Sequence, residues 1–118
     1  MKLQRFYDRL SESIRSVDQD TPICFEPTIV SMKIGATFEH VPGGAQYRDK
    51  SILCFSYGNW NEHSLGYKYA DARRLGIPSL VSQMYSVKCP VDRAEIYGMG
   101  WFFWYYKDFG CNKSREEY

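Results

Sequence analysis

A chain of 118 residues is long enough to bury a real core and too short for two domains, and its 44% hydrophobic and 25% charged residues exclude a disordered polymer. Fifteen Lys plus Arg against fourteen Asp plus Glu leave a net charge of +1, which supplies no long-range field for drawing in polyanions and no acidic surface that mimics DNA. What stands out is the aromatic fraction of 17%, with ten Tyr and three Trp.

Leu3, Phe6, Tyr7, Leu10, Ile14 and Val17 recur at helical spacing, with Arg5, Asp8, Arg9, Glu12 and Arg15 on the other face. This predicts an amphipathic N-terminal helix, which ends near Asp18-Gln19-Asp20-Thr21-Pro22, where turn-forming residues precede a proline. From Thr28 to Phe38 the period falls to two, as in a half-buried strand bent at Gly35. Val41-Pro42-Gly43-Gly44 is a strong turn signal, and Ser51 to Tyr57 reads as the next strand. Together these predict an antiparallel hairpin from about Thr28 to Tyr57, with a flap over residues 41–50.

Gly58-Asn59-Trp60-Asn61-Glu62-His63-Ser64 reads as a polar surface loop carrying one aromatic. Leu65, Tyr69, Ala72 and Leu75 then fit a helix that stops at Gly76 and Pro78. Ser79 can cap a further short helix with Leu80, Val81, Met84 and Tyr85 on one face, which is the preferred reading although the same residues also alternate as a strand. Asp92 and Glu95 have capping-box spacing, which opens a helical turn there. Six consecutive aromatics, Trp101 to Tyr106, are apolar on both faces and suit a central strand, while Ile96, Met99, Phe103, Tyr106 and Phe109 also fit a buried helix. From about residue 111 the tail is polar and should fray. The fold class expected is α+β over 1–118: the N-terminal helix packed on a small antiparallel sheet, with one or two further short helices.

Chemistry-bearing motifs are sparse. Cys24, Cys54, Cys89 and Cys111 are separated by 30, 35 and 22 positions, with no C-x-x-C and no His to complete a zinc site, so they read as small buried hydrophobes in a reducing, cytoplasmic setting. No metal and no cofactor is expected. No apolar run approaches the roughly 18 residues of a membrane helix, and Met1-Lys2-Leu3-Gln4-Arg5-Phe6 lacks the apolar core of a signal peptide. The two histidines, His40 beside the Pro-Gly-Gly turn and His63 beside Glu62, are the general acid-base candidates, and such a pair would serve a small metal-independent nuclease acting on RNA.

Ala70-Asp71-Ala72-Arg73-Arg74-Leu75-Gly76-Ile77-Pro78-Ser79-Leu80-Val81 resembles the middle of a helix-turn-helix, with the apolar residue after the glycine one position early. The resemblance implies DNA binding by a degenerate motif at 70–85, with Lys68, Arg73 and Arg74 against phosphates. The surplus of aromatics points elsewhere, because Tyr and Trp offer rigid contact area with a polar tip. Tyr47, Tyr57, Trp60, His63 and Tyr67 are accordingly the candidate protein-binding residues. The leading expectation is a small intracellular module that occludes or bridges a partner protein, of the kind a virus or mobile element uses to inhibit a host system.

Overall fold

The N-terminal segment forms helix α1 (Lys2–Arg15) in a computed structural model that describes residues 2–28, 37–57, 63–84 and 90–103. The helix does not seat the whole apolar stripe that its spacing lays out. Leu3 and Tyr7 pack on the core, but Gln4, Ser11 and Arg15 are the buried positions, and Phe6 and Leu10 are exposed. The reason is hydrogen bonding to the chain that crosses beside the helix: Gln4 Oε1 accepts from Glu39 N at 3.0 Å, and Ser11 Oγ donates to Pro42 O at 3.2 Å. At 3.6 residues per turn, Phe6 and Leu10 lie roughly 140° round the helix from that polar face.

Four strands follow, β1 (Ile23–Phe25), β2 (Ser51–Tyr57), β3 (Ser79–Met84) and β4 (Gly100–Phe103). Helix α2 (His63–Leu75) joins β2 to β3, and α3 (Pro90–Ile96) joins β3 to β4. The strands pair in the order β1-β2-β3-β4, and every pair is parallel. The expected α+β fold with an antiparallel sheet is therefore corrected to an α/β arrangement on a parallel sheet. Leu53, Cys54 and Phe55 are buried in succession, so β2 is covered on both sides, the signature of a parallel strand rather than of one half of a hairpin.

The hairpin fails because the Pro-Gly-Gly turn does something local instead. Gly44 N donates to Val41 O, Tyr47 N donates to Gly44 O, and the chain enters a short 3-10 helix (Ala45–Lys50) that delivers it to the same end of the sheet at which β1 began. Gly43 and Gly44 hold φ of 80° and 107°, and a Cβ on Gly43 would sit 2.5 Å from Ser11 Oγ, so glycine is required there. Of the strand read over Thr28–Phe38, residues 29–36 lie outside the described residues. Its described end, Thr37 and Phe38, runs against α2 and outside the sheet. The frayed tail expected from about 111 also lies outside the described residues.

The segment Ser79–Met84 is a strand, which corrects the preference for a short helix and removes the second helix of the helix-turn-helix read over 70–85. Its register explains the ambiguity. Phe55 pairs with Val81 but Ser56 pairs with Gln83, so Ser82 is an extra, bulged residue, and Val81 and Met84, three apart, both face the helices.

All three α-helices of the described residues cover one face. Leu3 and Tyr7 of α1 and Ala72 and Leu75 of α2 pack with Phe25 and Leu53, while Leu65 of α2 and Ala94 of α3 pack with Phe55, Val81 and Met84. A parallel sheet wound in one direction, with each helix on the same side, is how β/α barrels are built; doubly wound sheets reverse their order and carry helices on both faces.

Candidate functional site

In parallel β/α sheets, ligand sites form at the carboxyl ends of the strands, where the chain leaves the sheet and backbone direction no longer dictates side-chain type. Here β1 leaves at Phe25-Glu26-Pro27. The Glu26 backbone is clamped by one hydroxyl: Tyr7 OH donates to Glu26 O at 3.1 Å, and Glu26 N donates to Tyr7 OH at 3.2 Å. The Glu26 carboxylate leaves on the face opposite the helices and accepts from Ser56 Oγ at 2.9 Å, near the end of β2. Ser56 is in register with Gln83 of β3, so polar groups from three successive strands share this edge.

Deeper on the same face are two thiols. Burial pushes the Cys54 thiol well above the ordinary cysteine range, with a hydrogen bond to Cys24 and the charges of Cys24 and Glu26 adding to it. Cys54 is therefore an inert packing residue, as the sequence suggests, whereas Cys24 is exposed. Ser82 Oγ, in the bulge, is buried and has no hydrogen-bond partner among the described residues. Among those residues no three His, Cys, Asp or Glu are grouped to hold a metal ion. None of the described helices is long and apolar enough to cross a membrane.

The residues singled out from the sequence are placed elsewhere. His40 is exposed and sits 3.2 Å from Asp8 Oδ1 of α1, an oxygen that also accepts from Gln4 Nε2 at 3.0 Å and Gly43 N at 3.3 Å. His63 begins α2 but its side chain, like all of Glu62 and Trp60, lies outside the described residues. Tyr57 ends β2, and its side chain also lies outside them. Tyr67 is exposed in the second turn of α2, which begins where β2 ends, whereas Tyr47 belongs to the 3-10 helix at the opposite end of the sheet and lies under the Arg15 guanidinium, 5.0 Å from its ring centroid. The structure does not bring Tyr47 and Tyr67 together.

Nor do the three cations make a phosphate-binding face. Lys68 is buried and donates to Thr37 Oγ1 at 2.7 Å. Arg74 Nη2 donates to Asp71 Oδ1 at 2.6 Å and to Phe38 O, which ties residues 37–39 to α2. Arg73 is exposed on the wall of a shallow cleft of about 450 Å³ between the end of α2 and Gly98, beside the stacked rings of Tyr69 and Tyr97. That cleft opens at the amino end of β3, the end that serves stability in barrel-type sheets.

Sequence reasoning missed Glu26, Ser56 and Tyr7. A signal was present in Phe25-Glu26-Pro27: a carboxylate directly after an apolar residue and before a proline marks a strand exit, but it carries weight only once the strand is known to be parallel.

No family model matches the chain and no solved structure matches it. Two curated proteins are similar to it. The endoglycoceramidase of Hydra vulgaris is 30% identical over 123 residues, covering 94% of this chain and 23% of the relative. The endoglycoceramidase of Cyanea nozakii is 29% identical over 122 residues, covering 92% of this chain and 24% of the relative. The chain thus spans about a quarter of the length of these relatives.

Proposed function

We propose that this chain is a barrel-type β/α unit that binds the sugar of a glycosylated ceramide at the carboxyl edge of its strands, with Glu26 as the charged acceptor for sugar hydroxyls. The observation that carries the reading is the Glu26–Ser56 pair on the strand exits of a singly wound parallel sheet. The similarity to two endoglycoceramidases, spread over more than nine-tenths of the chain, supplies the ligand class. A carboxylate held by a hydroxyl on one side and clamped through its backbone on the other is pre-positioned, so little entropy is lost when a second hydroxyl bonds to it. Phe102, exposed on β4 and on the same face by strand alternation, offers an apolar surface to the ring.

Binding, not complete hydrolysis, is the activity assigned to the unit. Glycoside cleavage uses two carboxylates flanking the scissile bond. On this edge Glu26 is the carboxylate that a hydrogen bond from Ser56 holds in place.

The test is sedimentation with vesicles containing glucosylceramide, compared with vesicles containing ceramide alone. The expected result is retention on the glycosylated vesicles only, weakened about 10- to 100-fold in Glu26→Gln, the loss that follows from replacing a charged hydrogen-bond acceptor. Equal retention on ceramide vesicles, or undiminished binding by a folded Glu26→Gln, overturns the reading.

A further inference from the structure

Gly66 sits inside α2, where a glycine weakens a helix relative to alanine, and its neighbour across the fold accounts for it. A Cβ on Gly66 would lie 3.3 Å from the Tyr97 hydroxyl, so the missing side chain lets Tyr97, just past the end of α3, lie against α2. The Tyr97 ring stacks on that of Tyr69, with centroids 4.8 Å apart and planes 24° from parallel. Arg73 follows Tyr69 by one turn on the same side of the helix. Gly66, Tyr69 and Arg73 thus form a row of their own, apart from Lys68 and Asp71, which face residues 37–39.

Tyr69 and Arg73 form one wall of the cleft of about 450 Å³, a volume within the range of small-molecule sites. Its other walls come from two helix ends of the same design. Gly76 follows α2 and Gly98 follows α3, with φ of 72° and 65°. The residue after each glycine donates back across the turn, Ile77 N to Ala72 O at 3.1 Å and Met99 N to Ala94 O at 2.8 Å. A Cβ on Gly98 would touch nothing within 4 Å, so this glycine serves the turn and leaves open space beside it. Ser79, the first residue of β3, completes the lining.

The lining carries hydrogen-bonding groups that the fold does not use. The Arg73 guanidinium, the Ser79 hydroxyl and the hydroxyls of Tyr69 and Tyr97 have no hydrogen-bond partner among the described residues. Arg73 is the charged side chain of the lining, yet its charge does not make an anion site. The cleft lies at the carboxyl ends of α2 and α3, and each such end carries up to about half a negative elementary charge. One guanidinium against two helix ends leaves the cleft close to neutral. What fits is an uncharged ring with an apolar C–H face for the tyrosines and hydroxyls for Arg73 and Ser79. We propose that this cleft binds a neutral hexopyranose sugar. It lies roughly 13 Å along β3 from Gln83 and the Glu26–Ser56 edge, so it is a second site and does not rest on the reading of the first.

Titration of the full chain with methyl β-D-glucopyranoside, followed amide by amide in NMR spectra, tests the site. The amides of Gly76, Ser79 and Gly98 should shift and saturate with a Kd on the order of 1–10 mM, as for a ligand held by one ring face and a few hydrogen bonds. Arg73→Gln should raise that Kd about 10-fold, the loss of one charged hydrogen-bond donor, and leave any shifts at Glu26 and Ser56 as they were. Glu26→Gln should do the reverse. Tyr97→Ala should abolish the shifts at the cleft; should it fail to fold, Arg73→Gln decides alone, because Arg73 is exposed. Glucuronate should bind no more tightly than the glucoside, and glycerol, a polyol without a ring, should leave the three amides unmoved. Silence at Gly76, Ser79 and Gly98, undiminished binding in a folded Arg73→Gln, or a preference for glucuronate or glycerol overturns the proposal. Shifts at the cleft with none at Glu26 and Ser56 support it while removing the reading of the carboxyl edge.

Discussion

Asp71→Ala should lower the free energy of unfolding by about 3–5 kcal/mol, the cost of removing one partner from a buried ionic network. Asp71 is 3% exposed and accepts three hydrogen bonds, from Thr37 N at 3.0 Å, Arg74 Nε at 3.2 Å and Arg74 Nη2 at 2.6 Å. One turn earlier on α2, Lys68 is 1% exposed. Burial pulls the Lys68 ammonium below its ordinary range, and the Asp71 charge works against that pull. Truncating Asp71 therefore leaves a buried amide without an acceptor and removes a negative charge that opposes the desolvation of Lys68. It also frees residues 37–39, which hold Phe38 in the core between Tyr7 and Phe25. Urea unfolding followed by circular dichroism measures the loss. A cost below about 1 kcal/mol would show that the network does not hold the segment, and adding Lys68→Met to Asp71→Ala should cost less than the two changes summed, because the Lys68–Asp71 charge coupling is then already absent.

Lys68 also sets a direction with pH. Its folded pKa lies below the unfolded value, so between the two the unfolded chain holds the proton and the folded chain releases it. Stability then rises with pH through that alkaline window, and the penalty is present in full below the folded pKa. Lys68→Met should flatten this slope while leaving the neutral-pH spectrum unchanged; an identical slope in the variant would place the ammonium in solvent.

How far the fold could be read from residues depended on whether local chemistry and topology agreed. The helical spacing that begins at Leu3, the apolar run Ser51–Tyr57 and the strand formers after Gly100 are local signals, and each appears as the expected element. Strand direction is not local. Val41-Pro42-Gly43-Gly44 does form a turn, but a turn signal cannot say whether the chain reverses beside its last strand or travels to the far end of the sheet, and here it does the latter. In β3 the bulge at Ser82 changes the burial period from two to three, so Val81 and Met84 mimic one face of a helix. The candidate site went unseen for the same reason as the topology. Glu26 and Ser56 are 30 residues apart, and only a parallel pairing of β1 with β2 brings both to one edge.

Arg15→Ala should be the second large loss, at least about 3 kcal/mol. In sequence Arg15 is one more charge on the polar side of an amphipathic helix; in the fold it is 4% exposed and holds the amino ends of the first two strands together. Nη1 donates to Thr21 O at 2.8 Å and to Asp18 O at 3.3 Å, and Nη2 donates to Lys50 O at 2.9 Å. Thr21 lies just before β1, and Lys50 is the residue before β2. The Asp18 carboxylate shapes the same turn by accepting from Asp20 N and Thr21 N, both at 2.9 Å, and these hydrogen bonds lower its pKa to about 2. Removing the guanidinium strands partly buried carbonyls, each worth up to about 1–3 kcal/mol when left unsatisfied, and uncovers the Tyr47 ring. The gain is incomplete even in the wild type, since Nε of Arg15 is buried with no partner among the described residues. Arg15→Lys keeps the charge but loses the planar fork that reaches Thr21 and Lys50 at once, so it should recover only part of the stability. Chemical denaturation of both variants orders them: wild type, then Lys, then Ala. A Lys variant as stable as wild type would mean that charge alone, without the two-sided hydrogen bonding, joins the strand entrances.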